Sequence, residues 1–246
     1  MTLHLQTQEL TNNADGLRFW QTKIAEENLP ADKVAIVIVD MWQEHWSKGA
    51  TLRAGSLAPQ INSAANALRA AGGFVIHAPS DCMKFYADHP AYLRAKAVES
   101  IEPPELIQIL DIPQPIDSSD GGSDSQDKHK PNTCVWYRQN EIIEINPERD
   151  YISDNGDTVY AILKQNGIAR IIYMGVHTNM CILNRPFAIK AMLRRGMKPC
   201  LCRDLTDCMY NPAKPPYVQH EEGLQLILSY IEKFYCPTVQ SKDLLI

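Results

Sequence analysis

The sequence predicts an α/β fold organised around a parallel sheet, and three observations carry that prediction. Short β-branched runs alternate with longer stretches of helical period. The longest apolar run, Val34 to Val39, has the length of a strand rather than of a membrane span. Glycines follow the helical stretches where a left-handed residue would stop them.

Six runs read as strands. The first is Val34 to Val39, ending at Asp40, and the second is Phe74 to His77. Glu141 to Ile145 is the third, Arg170 to Met174 the fourth and Lys198 to Cys202 the fifth. A sixth lies near Pro237 to Val239, where Pro237 fits only at the start because it has no N–H for the ladder. Between the first two, Leu57, Ile61, Ala64, Ala65 and Leu68 recur at helical spacing and Gly72-Gly73 ends the helix. Thr158 to Gln165 reads as a second helix before Gly167, and Met180 to Arg195 as a third before Gly196. The last runs from about His220 to Phe234, with Leu224, Ile227, Leu228 and Ile231 as its core stripe.

The 246 residues are 45% hydrophobic and 22% charged, which fits one globular domain spanning 1–246. A net charge of −5 gives no reason to expect a nucleic-acid partner. No run is long enough to span a membrane, and Met1 to Leu10 lacks the basic start and apolar middle of a secretory signal, so a cytoplasmic location is expected. The seven cysteines lack the spacing of a disulfide framework and are read as reduced thiols. Residues 103–133 break the rhythm with five prolines, Gly121-Gly122 and the polar run Asp117 to Asp120. Such composition cannot form a packed element, and the segment is expected to be a surface insertion, either functional or merely mobile.

In open parallel sheets, ligands bind beyond the carboxyl ends of the strands. Asp40 closes the first strand, Glu144 stands near the end of the third, and Cys181 follows the fourth through Gly175-Val176-His177-Thr178-Asn179-Met180. At the start of the next helix, free amides and the helix dipole would stabilise a thiolate, which places Cys181 like a nucleophile.

The segment Ile171 to Cys181, followed by a helix ending in Arg195-Gly196, resembles the cysteine motif of the isochorismatase-like hydrolases, the superfamily that includes nicotinamidases. Val34 to Asp40 resembles the first strand of that family with its aspartate. The resemblance implies a three-layer α/β/α, Rossmann-like arrangement with a six-stranded, mostly parallel sheet. It also implies a cysteine hydrolase that cleaves a small amide or related carbon–nitrogen bond through a thioester, and self-association of the chain. Asp40 and Cys181 carry over as base and nucleophile. A cis peptide of the family maps onto Val176-His177, with the amides of His177 and Cys181 turned towards the oxyanion.

The family lysine has no direct counterpart. Alignment places Glu144 at its position, or Arg149 on a shorter count, and Glu144 beside Asp40 would raise the thiol pKa. His177, Arg149 or Arg138 would then have to supply positive charge. The rival reading is a small-molecule-binding or scaffolding protein that keeps the fold with altered catalysis. No metal is expected, because His77 to Asp81 and His89 do not reproduce the Asp-x-His pattern of nicotinamidases, and no other cofactor is implied. Cys200, Cys202 and Cys208 are read as core thiols rather than a zinc set. Trp42, His45, His77, Tyr86 and Asn179 are the candidate walls of a substrate pocket, with Trp46 read equally well as packing. The elbow of serine hydrolases, the phosphate loop and the dinucleotide turn are absent from the sequence.

Overall fold

A computed structural model describes residues 1–245. One eight-stranded sheet has the order β2-β1-β8-β7-β6-β3-β4-β5. The strands are β1 (Thr2–Asn12), β2 (Arg18–Asn28), β3 (Val34–Val39), β4 (Phe74–Ala78), β5 (Tyr151–Ile152), β6 (Arg170–Val176), β7 (Pro199–Asp207) and β8 (Thr238–Val239). From β8 to β5 every neighbouring pair is parallel. The helices are α1 (Lys48–Ala70), α2 (Pro90–Lys96), α3 (Gly156–Gln165), α4 (Cys181–Asn184), α5 (Ile189–Arg194) and α6 (His220–Phe234).

The centre of the sheet is buried on both sides, as continuous β-branched runs require. All six residues of β3 are fully buried, at about 1.5–3 kcal/mol for each large apolar side chain. Ile36, Ile38, Ile172 and Met174 pack with α1 residues Ala58, Ile61 and Leu68 on one face. Val37, Val39, Ile171 and Tyr173 pack on the other face with α3 and α6, through residues such as Val159, Leu163, Ile227 and Ile231. Cys200 and Cys202 share the α1 face while Cys208 lies in the opposite cluster. No described helix is long and apolar enough to cross a membrane.

Four elements differ from the sequence reading. The expected strand Glu141 to Ile145 is a turn, because the Asn140 side chain accepts from Ile142 N and its carbonyl accepts from Ile143 N. The strand beside β4 is Tyr151–Ile152 instead. The helix expected over Met180 to Arg195 is split into α4 and α5 at Arg185-Pro186, since proline supplies no N–H and disfavours helix in the residue before it. The first helix begins at Lys48 and passes through Pro59. Finally, β1 and β2 form an antiparallel ribbon that adds two strands to the expected six, meeting β8 at Gln6↔Thr238. Its signal was the alternation in the first ten residues with a polar turn at Asn13 to Gly16.

The insertion is held by polar contacts at the amino end of α1. Lys48 N donates to Asp127 Oδ1 (2.8 Å) and Gly49 N to Ser125 Oγ (2.9 Å), so two otherwise orphaned helix amides are satisfied from the insertion. Arg53 adds a bidentate pair with Asp124 at 2.8 and 3.1 Å. A segment too polar for a core of its own is thereby ordered against the sheet edge where Asp40 lies.

Candidate functional site

Asp40 follows β3 with φ of 47°, a left-handed conformation that aspartate tolerates better than most residues. Its carboxylate is fully buried and Oδ1 accepts from Ser80 N at 2.7 Å. Burial raises its pKa, while Arg185, the Cys181 thiol and Ser80 pull the other way.

The cysteine loop reaches that carboxylate because β6 and β3 approach closely. A Cβ at Gly175, where φ is +111°, would stand 2.2 Å from Val39 O, so only glycine fits. The Val176–His177 peptide is cis. Thr178 N and Oγ1 both donate to Asp207 O, at 2.8 and 2.9 Å, and tie the loop to β7. The Asn179 side chain pairs with Met209 in both directions at 2.9 Å. Thr178 and Asn179 therefore hold the loop, and Asn179 also borders an open cavity shared with Cys181 and Arg185.

Cys181 opens α4 close enough to the Asp40 carboxylate and the His177 amide for both to act on its thiol. Burial first, then the negative charge of Asp40, push the thiol pKa well above its ordinary value; Arg185 and the His177 amide oppose that shift. The expected helix-stabilised thiolate is thus corrected. The helix has only four residues, so its dipole is small, and the resting group is a thiol beside a carboxylate.

Arg185 is the residue that sequence reasoning missed. It follows α4 four positions after Cys181, and its Nε donates to Asp40 Oδ2 at 3.2 Å, with Nη2 3.7 Å from Asp81 Oδ2. The cation lies in the cysteine segment itself and not on the loop where the family lysine would fall. The i,i+4 spacing was the available signal.

Glu144 stands elsewhere. It is exposed, its carboxylate accepts from Asn66 Nδ2 at 3.2 Å, and its N donates to Asn62 on α1. The count that aligned it assumed a strand where the chain turns. Arg149 donates to Arg69 O and Arg138 pairs with Glu141, so neither faces Asp40. His77 is fully buried and also outside the pocket, with Nδ1 on Gln139 and Nε2 on Asp150, both at 3.1 Å. Asp150 is held in turn by Arg69 at 2.7 and 2.9 Å. Tyr86 is buried with its hydroxyl accepting from Gln139 N, supporting this second network rather than the cavity.

Beside Cys181 lies a cavity of about 130 Å³ lined by Trp42, His45, Trp46, Trp136, Met180 and Met209, with His177 and Arg185 also exposed to it. Trp136 stacks on Trp42 (4.1 Å) and on His45 (5.5 Å). Gly121 and Asn132 complete the wall, so the insertion contributes directly to the cavity. Burial lowers His45 to about 4 and His177 to about 3, leaving both imidazoles neutral near pH 7. His177 Nε2 and Trp136 Nε1 are buried without a hydrogen-bond partner among the described residues.

One further polar cluster brings Asp207, Cys208 and His220 together. Asp207 already accepts from Arg53 at 2.8 Å and lies 2.9 Å from His220 Nε2, while His220 Nδ1 lies 3.1 Å from Tyr210 O. With an arginine in place and both imidazole nitrogens engaged, the group is an ionic clamp between α1, β7 and α6 and does not suit a metal.

No family model matches this chain, and no curated relative matches it either. Solved structures do. A cysteine hydrolase from Pseudomonas syringae pv. phaseolicola is 16% identical, with 89% of this chain and 94% of that one covered at a TM-score of 0.54. A protein described as an isochorismatase hydrolase, from Oleispira antarctica, is 12% identical over 87% and 96% of the two chains at 0.51. One described as an isochorismatase, from Burkholderia xenovorans, is 13% identical over 87% and 86% at 0.51. At these identities the likeness is one of fold: the chain has the isochorismatase-like α/β fold.

Proposed function

We propose that the chain is a hydrolase of small, uncharged amides or related carbon–nitrogen bonds, with Cys181 as nucleophile, Asp40 as proton carrier and Arg185 as the cation that fixes the carboxylate. The observation that carries this reading is the position of Asp40 between a thiol and a guanidinium. Ser80 N holds Oδ1 and Arg185 Nε holds Oδ2, and the thiol proton is the mobile one nearby.

A thiol whose pKa is raised is not a standing thiolate, so attack must be assisted. Asp40 takes the thiol proton as the sulfur bonds to the carbonyl carbon, and the carbonyl oxygen becomes an oxyanion that backbone N–H groups of the loop can receive. Collapse of that adduct expels the amine, which leaves with the proton from Asp40, and a thioester remains on Cys181. Asp40 then takes a proton from water as its oxygen attacks the thioester. The acid leaves, and the proton returns to sulfur.

The cavity suits a small, flat acyl group, given its volume and its aromatic walls. It holds no unpaired cation, since both histidines are neutral and Arg185 faces two aspartates. An uncharged substrate with one polar atom for His177 Nε2 or Trp136 Nε1 satisfies groups that are otherwise buried alone. The rival reading of a catalytically altered binder took its force from Glu144 at the site. Arg185 on Asp40 and Glu144 exposed elsewhere favour the hydrolase reading over it.

The experiment is a panel of small amides assayed with the chain and with Cys181→Ala. Turnover abolished by the substitution supports the reading. Binding of panel members without turnover by the unaltered chain overturns it in favour of a binding protein.

A further inference from the structure

We propose that the outer edge of β2 is a self-pairing surface, at which a second copy of this chain adds its own β2 antiparallel about Thr22. The inference concerns the far end of the sheet and does not depend on the proposed chemistry. β2 is the last strand in the sheet order, is 11 residues long, and is exposed over almost its whole length. Long uncovered edges of this kind are templates for strand addition.

The ladder shows which backbone groups are free. The pairing of β1 with β2 runs without a bulge from Thr2↔Asn28 to Asn12↔Arg18. At one end Met1 and Leu29 exchange bonds in both directions, at 2.8 and 3.0 Å; at the other Asn13 N donates to Leu17 O at 2.9 Å. Both ends therefore make the odd-numbered pairs the hydrogen-bonded ones. Phe19, Gln21, Lys23, Ala25 and Glu27 turn their N–H and C=O groups to β1, and Arg18, Trp20, Thr22, Ile24 and Glu26 turn theirs outward.

Those outward-bonding residues complement themselves. A two-fold axis at Thr22 sets Arg18 opposite the partner's Glu26, Trp20 opposite the partner's Ile24, and Thr22 opposite the partner's Thr22. On the other face it sets Phe19 opposite the partner's Ala25 and Gln21 opposite the partner's Lys23. An axis one residue on, at Lys23, uses the same free groups but sets two lysines side by side and Trp20 against a glutamate. Charge therefore selects the Thr22 register.

The same pairing covers apolar surface that the chain leaves in water. Ile24 is 62% exposed and Trp20 39%, beside Phe234 at 41%. Trp20 and Phe234 are already in edge contact at 5.8 Å. Each β2 would gain a hydrogen-bonded neighbour, and the two eight-stranded sheets would join edge to edge.

Sedimentation velocity of the full chain at tens of micromolar tests this, with circular dichroism as a fold control. Thr22→Pro removes an N–H that faces away from β1, so the intramolecular ladder stays intact and only the outer edge is blocked. The expected results are a dimer for the unaltered chain, a monomer for Thr22→Pro, and at least tenfold weaker association for Arg18→Glu. Association should return in Arg18→Glu/Glu26→Arg, where the pair is reversed. An unaltered chain that is monomeric, or a dimer that survives Thr22→Pro and ignores the charge reversal, overturns the proposal. Should Thr22→Pro disturb the fold, the charge-swap series decides alone.

Discussion

The Nε of Arg185 lies 3.2 Å from Oδ2 of Asp40, only four residues beyond the cysteine on whose thiol the same carboxylate acts. Thiol and cation thus come from one short segment, while the carboxylate comes from the end of β3, more than a hundred residues earlier in the chain. Burial raises the Asp40 pKa, and the guanidinium opposes part of that shift.

Replacing Arg185 should therefore change both rate and pH dependence. Arg185→Gln removes a charge that lowers the Asp40 pKa, so the acid limb of the kcat/KM profile should move to higher pH. The rate at neutral pH should fall by a factor on the order of 10²–10⁴, the range typical of a disturbed acid–base group. Arg185→Lys should recover part of it. Glu144→Gln should leave the profile unchanged, and a loss comparable to that of Arg185→Gln would return Glu144 to the site.

The cavity wall supplied by the insertion can be moved without touching the reacting groups. Gly122 has φ of +72°, and a Cβ there would stand 2.5 Å from Met209 O. Gly122→Ala should displace the insertion from Met209, raise KM at least severalfold and redshift tryptophan emission as Trp46 becomes wetter. Unchanged KM and emission would mean that the insertion is not part of the wall.

His220 gives the chain a pH-dependent clamp. Burial disfavours its charge, but Asp207 and the Tyr210 carbonyl more than offset this, and its pKa is raised. The unfolded imidazole has the ordinary value near 6.5. The stabilisation is therefore complete below that value and is lost as pH rises through the higher folded value. Melting temperature should fall over that window in the unaltered chain and should be flat there in His220→Gln.

The buried pair of Arg69 and Asp150 makes the opposite prediction at low pH. The Asp150 pKa is lowered by His77 and Arg69 against the desolvation that would raise it. Its contribution is present above the ordinary aspartate value and is lost as pH falls through the folded one. Arg69→Met leaves a buried carboxylate without its guanidinium and should cost about 3–5 kcal/mol in denaturant unfolding. Arg69→Met/Asp150→Leu should recover much of that loss.

Much of the architecture was legible because burial writes itself into residue type. Val34 to Val39 and Arg170 to Val176 lie in the middle of the sheet, where both faces demand apolar side chains, and His220 to Phe234 carries an uninterrupted stripe. The ribbon of β1 and β2 was not legible, because strands with little buried surface carry only a weak alternation. Glu141 to Ile145 misled for the converse reason: isoleucines alternate there, yet Asn140 turns the chain.

At the site, Asp40 and Cys181 stood out because each closes a buried run at the carboxyl edge. Trp42 and His45 do line the cavity. His77, Tyr86 and Asn179 are of the right types but are spent on bonds with Gln139, Asp150 and Met209, which depend on contacts between distant segments. Arg185 and Trp136 were hidden for the same reason, since spacing along the chain does not say which way a long side chain reaches.

The most direct measurement is rapid-quench intact-mass spectrometry on a turning-over amide from the panel. The account predicts a transient acyl adduct, mapped by digestion to Cys181, which forms before steady state and is absent from Cys181→Ala together with turnover. Turnover that persists in Cys181→Ala, or an adduct mapped to any other residue, would contradict it.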